Sequence, residues 1–246
     1  MMFKDKTVLI TGASRGIGKA TALAFAKEGA NVAVNYCSSE TEAIGVVKEI
    51  ESIGSKAIAI QCDVSKEDEV ISMIEQTISS FGSIDVLVNN AGSVEDVPIL
   101  ERTYADWRRT LDVNLIGQFL CIKQAAKKML AQGGGRVINI SSTSAIYSFS
   151  PDIVDYDAAK AGVASLTKNF AKTLAPSILV NAVAPGWVDT DIHKELPLDF
   201  LDKEKEDIFL KRFAKPEEIA RVILFLAGEG SGFITGSVLV VDGGHN

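Results

Sequence analysis

Thr11-Gly12-Ala13-Ser14-Arg15-Gly16-Ile17-Gly18 follows the apolar run Thr7 to Ile10 and leads into a segment of helical period, Lys19 to Gly29. Strand, glycine-rich turn and helix in that order open a βαβ unit. Gly12 permits a tight turn, Gly16 lets the backbone approach a pyrophosphate, and Gly18 allows close helix packing, while the helix N-terminus favours negative charge. The stretch therefore predicts a doubly wound (Rossmann) α/β fold with a dinucleotide site at its first turn, touched by Gly12, Ser14, Arg15, Gly16, Ile17 and Gly18. A turn with a purely structural role is the alternative, and its position between strand and helix argues against it.

The rest of the chain repeats the alternation. Runs rich in β-branched and aliphatic residues occur at Asn31 to Asn35, Lys56 to Gln61, Asp85 to Asn89, Arg136 to Ser141, Ile178 to Ala184 and Val238 to Val241. With Thr7 to Ile10 they make seven strands, and near-continuous apolar runs separated by helices mean a parallel sheet buried on both faces. Ser65-Lys66-Glu67-Asp68 and Thr103-Tyr104-Ala105-Asp106 read as capping boxes, and Pro216 suits a first helical turn.

The chain has 246 residues, 47% of them apolar, enough for one domain spanning 1–246. A net charge of −7 repels phosphate backbones and anionic membranes, so neither nucleic acid nor membrane is an expected partner. Cys37, Cys62 and Cys121 show no disulfide or zinc spacing, and the N-terminus carries no apolar targeting segment, which together point to the cytoplasm. His193 and His245 stand apart without a ligand set, so no metal is expected.

Cofactor choice falls at the end of the second strand, where an NAD site places an acid against the adenosine ribose. Here the segment reads Asn35-Tyr36-Cys37-Ser38-Ser39, with no carboxylate before Glu40. Arg15 with the Ser38 and Ser39 hydroxyls can donate to a 2′-phosphate, which predicts NADP(H). Arg15 as an ordinary solvated cation remains open.

Tyr156-Asp157-Ala158-Ala159-Lys160 sets a phenol and an ammonium on one helical face. Ser141 and Ser142 close the fifth strand and Asn89-Asn90-Ala91-Gly92 the fourth, at the edge where ligands meet an open parallel sheet. These elements, the glycine loop, Asn114 after Val113, and Pro185-Gly186-Trp187-Val188-Asp189-Thr190 occur in the order of the short-chain dehydrogenases/reductases, which the chain resembles over its whole length. Within that family Ala182 to Gly186 and the ending Gly236 to Gly244 are similar to the 3-oxoacyl carrier-protein reductase branch.

The resemblance implies a ketone and secondary-alcohol oxidoreductase with Tyr156 as general acid or base, Ser142 donating to the substrate oxygen, Lys160 binding the nicotinamide ribose, and Asn114 holding a relay water. Ser141 is the alternative to Ser142. A cation such as Lys160 beside a phenol draws its pKa toward neutrality. Further cofactor contacts implied are Asn35, Tyr36, Asp63, Val64, Asn90, Ala91, Gly92, Pro185, Gly186, Val188 and Thr190, with Asp63 as a helix cap the competing role.

The substrate is a small molecule or acyl thioester, shaped by the loops Ser93 to Pro98 and Ser144 to Asp155 and a lid at about 189–212. Tyr147, Phe149 and Trp187 would wall an acyl or alicyclic ketone, whereas Glu95 and Asp96 would bind the hydroxyls of a sugar or polyol. Lys127, Lys128, Lys168 and Lys172 are a candidate docking patch for an acidic carrier. A dinucleotide-binding sensor without turnover is the reading of another class. The resemblance also implies a homotetramer, built on the helices Thr103 to Gln132 and Asp155 to Leu174 and on the last strand.

Overall fold

The computed structural model describes residues 1–147, 150–190 and 196–244. Its strands are β1 (Thr7–Ile10), β2 (Asn31–Tyr36), β3 (Ala57–Gln61), β4 (Val86–Asn89), β5 (Gly135–Ile140), β6 (Ile178–Pro185) and β7 (Val238–Val241). They form one parallel sheet in the order β3-β2-β1-β4-β5-β6-β7. The order reverses between β1 and β4, so the crevice for a ligand opens above their C-terminal ends.

Alternate residues of each buried strand feed opposite cores. Val8, Ile10, Val32 and Val34 pack below α1 (Gly16–Lys27), α2 (Glu40–Ser52) and α8 (Pro216–Ala227). Leu9, Ala33, Leu87, Val137 and Val180 face α3 (Glu67–Phe81), α5 (Gly117–Ala131) and α6 (Val154–Leu174). A strand buried on both faces loses the apolar–polar alternation, which is why these strands read as continuous apolar runs.

Two helix starts separate on one physical detail. Thr103 caps α4 (Tyr104–Leu111) by accepting from Asp106 N at 3.2 Å while the Asp106 carboxylate accepts from Thr103 N at 2.9 Å, a reciprocal box. The box expected at Ser65 does not form. Its hydroxyl donates instead to Asp63 at 2.7 Å, and α3 begins at Glu67 with no side-chain cap. The nearby Asp63 carboxylate outcompetes the helix N–H groups for that hydroxyl. α1 likewise starts at Gly16, three residues ahead of the expected Lys19, because the glycine turn itself forms the first helical turn.

α4 runs into a π-helical segment, Asp112–Ile116, before α5. Such bulges turn one side chain out of helical register and concentrate at functional sites; here the residue turned is Asn114. α7 (Leu198–Asp207) packs Phe200 edge-on to Trp187 at 6.0 Å, and Phe213 stacks on Trp187 at 5.4 Å. Among the described residues no helix is long and apolar enough to cross a membrane.

Candidate active site

A cavity of about 440 Å3 lies over the crevice, lined at one end by Arg15, Cys37, Ser38, Ser39 and Asp63 and at the other by Asn114, Tyr156, Lys160 and Thr190. The glycine loop forms its floor. Gly12 has φ +63, and a Cβ there would lie 2.9 Å from Ala91 Cα, so only glycine serves both the turn and the approach of β4.

Three polar side chains, Asn35, Asn90 and Thr11, fix that loop. Asn35 accepts from Gly12 N at 3.1 Å and donates to the carbonyls of Tyr36, Ile60 and Cys62. Asn90 donates to the carbonyls of Thr11 and Gly12 at 3.0 and 2.9 Å. Thr11 Oγ1 accepts from the amides of Asn90 and Ala91. The Asn35 and Asn90 side chains are thus engaged by backbone. They position the cradle and, as expected of cofactor contacts, both residues also line the cavity.

Other expected contacts divide in the same way. Ser14, Arg15, Gly16, Ile17, Tyr36, Ser38, Val64, Ala91 and Gly92 line the cavity. Gly18 does not; a Cβ there would meet Gly12 O at 2.3 Å, so its part is the helix packing. Asp63 lines the cavity but accepts from both the amide and the hydroxyl of Ser65. Of the stretch Pro185 to Thr190 only Thr190 reaches the cavity; Pro185 ends β6, Gly186 abuts Asp242, and Val188 is buried in a bridge to Ala214.

Tyr156 and Lys160 come from the first turns of α6, and Ser142 from the end of β5. The Ser142 hydroxyl hydrogen-bonds the Tyr156 phenol and accepts from Ser144 N at 3.2 Å. Ser141 points away from the phenol and donates to Lys160 O at 3.0 Å. Lys160, 2% exposed, donates to Ile140 O at 3.0 Å, its ammonium 5.3 Å from the Tyr156 ring centroid.

Burial pushes the phenol up to about 12, the Asp157 charge adding to the rise and the Ser142 hydrogen bond opposing it. Burial also lowers Lys160 to about 8. The expected pull of Lys160 on the phenol toward neutrality is therefore absent from these surroundings, because the ammonium points at a carbonyl and lies over the ring face while desolvation dominates.

Asn114 is fully buried, with Nδ2 donating to Ser93 O at 2.8 Å and Thr110 O at 3.0 Å. Its Oδ1 has no partner. A Cβ on Gly92 would lie 2.7 Å from that oxygen and 3.7 Å from Lys160 Nζ, so both atoms face one side of Gly92. An unpaired buried acceptor beside an ammonium suits a bridging water or ligand hydroxyl.

The loops around the mouth differ from expectation. Glu95 pairs with Arg109 of α4 at 2.5 Å. Tyr147 donates to Asp242, and Trp187 stacks on Phe213. Phe149, His193, His245 and part of the expected lid lie outside the described residues. Among the described residues no cluster of three or more His, Cys, Asp or Glu side chains is arranged for a metal ion, and the three cysteines are free. Arg102 and Asp155, undetected by any motif, form an ion pair with both side chains 1% exposed beside Tyr156.

A family model described as enoyl-(acyl carrier protein) reductase matches residues 12–246. The chain is 45% identical over 241 residues to the 3-oxoacyl-[acyl-carrier-protein] reductase FabG of Staphylococcus epidermidis, covering 98% of each chain. It is 47% identical to the 3-oxoacyl-[acyl-carrier-protein] reductase of Synechocystis sp., covering 97% of this chain and 96% of that one. The solved short-chain dehydrogenase/reductase of Serratia marcescens superposes with a TM-score of 0.94 at 36% identity, over 99% of both chains.

Proposed function

Because the chain belongs to the short-chain dehydrogenase/reductase family, and is an oxidoreductase by that membership, we propose that it is an NADP(H)-dependent reductase of 3-oxoacyl thioesters. The observation that carries this reading is the convergence of two hydroxyl donors, Tyr156 and Ser142, at the end of the cavity where Lys160 and the free Asn114 Oδ1 also meet.

The cavity residues fit a nicotinamide dinucleotide. Gly12 and Gly16 leave the α1 N-terminus open to a pyrophosphate, and the buried ammonium of Lys160 and the unpaired Asn114 Oδ1 suit ribose hydroxyls and a water. When bound, the dinucleotide supplies the hydride. Ser142 orients and polarises the substrate oxygen. Tyr156, holding its proton up to about pH 12, delivers it to that oxygen as negative charge develops there. Asn114 and Lys160 provide the route by which the phenol is reprotonated.

NADP(H) is favoured by the adenosine end. Arg15 is exposed at the rim and makes no ion pair among the described residues, Ser38 and Ser39 sit beside it, and Glu40 is engaged by the Tyr36 hydroxyl. The thioester is favoured by the relatives' substrate and by the loss of Glu95 to Arg109, which weakens the sugar alternative. Lys127, Lys128, Lys168 and Lys172 are exposed on α5 and α6, as docking to an acidic carrier requires.

Exposed apolar side chains at Ile116, Phe119 and Leu130, along the helix expected to form a dimer bundle, and at Leu239 on the last strand support a homotetramer with two-fold axes. The cytoplasm is the compartment we assign, where three free thiols persist.

The test is consumption of NADPH, and separately NADH, with an acetoacetyl thioester, followed at the nicotinamide absorbance. NADPH-selective loss is expected. Oxidation of sugars or polyols without thioester reduction overturns the substrate, dinucleotide binding without any turnover favours the sensor, and preference for NADH overturns the Arg15 argument.

A further inference from the structure

The least economical feature of the molecule is a fully buried ion pair outside the cavity lining. Arg102 Nη1 lies 2.8 Å from Asp155 Oδ2, and each side chain is 1% exposed. Burying two charges costs more than their mutual attraction reliably returns, so such a pair is weak as a source of stability. What it does supply is geometry, and its partners show where.

Arg102 Nη2 donates to Glu95 O at 2.6 Å, to Val97 O, and to Asp152 O. The first two belong to the loop after β4 and the third to the loop before α6. Val97 N also donates to Asp152 O at 2.9 Å, so one guanidinium and one backbone bond close the two substrate-side loops onto each other. On the helix side, Asp155 Oδ1 accepts from Tyr156 N at 2.9 Å. On the loop side, Ser93 O accepts from Asn114 Nδ2 at 2.8 Å. A single side chain thereby ties the backbone that carries the phenol to the backbone that orients the asparagine, through no more than two bonds in either direction.

We propose that Arg102 is a positioning residue for the reaction, setting Tyr156 and Asn114 in register through Asp155 and the 93–98 loop. It touches neither the cavity nor the reacting atoms. A planar fork can hold a carboxylate at one terminal nitrogen and, with one N–H shared, three carbonyls at the other; an ammonium lacks that spread of donors. The inference rests on the reading of Tyr156 as the acid. A misplacement of about 1 Å at such a group costs on the order of a hundredfold in rate.

The experiment compares the full-length parent with Arg102→Ala, Arg102→Lys and the double variant Arg102→Met/Asp155→Leu. The double variant removes both charges and keeps apolar volume, so it folds where Arg102→Ala leaves an unpaired buried carboxylate. With acetoacetyl thioester and NADPH, the expected result is a kcat about a hundredfold lower in each, with the NADPH KM little changed. Millimolar guanidinium restores rate to Arg102→Ala and not to the double variant, and lysine does not rescue. A double variant that melts with the parent and turns over at the parent kcat overturns the proposal.

If the parent reduces no thioester, the reading of the reaction fails separately. Amide hydrogen exchange at Tyr156 in folded Arg102→Lys, which keeps Asp155, then decides the inference: faster exchange than in the parent supports it, and unchanged exchange overturns it.

Discussion

Replacing Lys160 by Met tests the electrostatics of the site without any substrate. The side chain is 2% exposed and its pKa falls from 10.5 to about 8 through burial. At about 1.36 kcal/mol per unit, the protonated form is disfavoured in the folded chain by about 3 kcal/mol. The folded-state pKa lies below the unfolded one, so the associated stability is present above pH 10.5 and is lost as pH falls toward 8. Met keeps the aliphatic stem and cannot titrate. Losing the donor to Ile140 O lowers stability by an amount that does not vary with pH. Denaturant unfolding of both proteins at one fixed concentration, from pH 7 to pH 10.5, gives the difference in unfolding free energy. Relative to the variant, the parent should gain about 3 kcal/mol across that window, most of it above pH 8, while every titration common to both cancels. A difference flat with pH would refute the claim that Lys160 is desolvated, and with it the physical account of its low pKa.

Other expectations concern turnover. Tyr156→Phe should lose about 10²- to 10⁴-fold in kcat while dinucleotide affinity, read by nicotinamide fluorescence, stays near the parent's. Ser142→Ala should lose about 10²-fold or more, the scale for one donor at a developing oxyanion, whereas Ser141→Ala, whose hydroxyl is engaged by Lys160 O, should keep its kcat and unfold about 1 kcal/mol more easily. Gly92→Ala brings a methyl to 2.7 Å from Asn114 Oδ1, forces that buried, doubly bonded side chain to move, and should cut kcat and lower the melting temperature. Arg15→Glu should raise the KM for NADPH by at least about tenfold, the loss of a charge-assisted contact, and leave the KM for NADH nearly unaltered; equal effects on both would remove Arg15 from the phosphate.

What could be read in advance follows from where each side chain looks. The seven strands were legible because a doubly covered parallel sheet needs unbroken apolar runs, and Gly12 because its φ of +63 excludes other residues. That Tyr156, Lys160 and Asn114 would meet at one cavity was legible because the reading sought particular chemistry at particular spacings. The main-chain bonds of Asn35, Asn90 and Arg102 went unread for the opposite reason. Each faces main chain, and a carbonyl of any residue accepts equally well: Asn35 uses those of Tyr36, Ile60 and Cys62, Arg102 those of Glu95, Val97 and Asp152. No residue type at the partner position marks such a bond, and the partners lie up to 79 positions away. The same physics explains Ser65, where a local carboxylate two residues back won the hydroxyl that a capping box requires. Side chains that hold the backbone around a site are thus invisible to motif reading even when, as with the Arg102 fork, they tie together both loops that shape it.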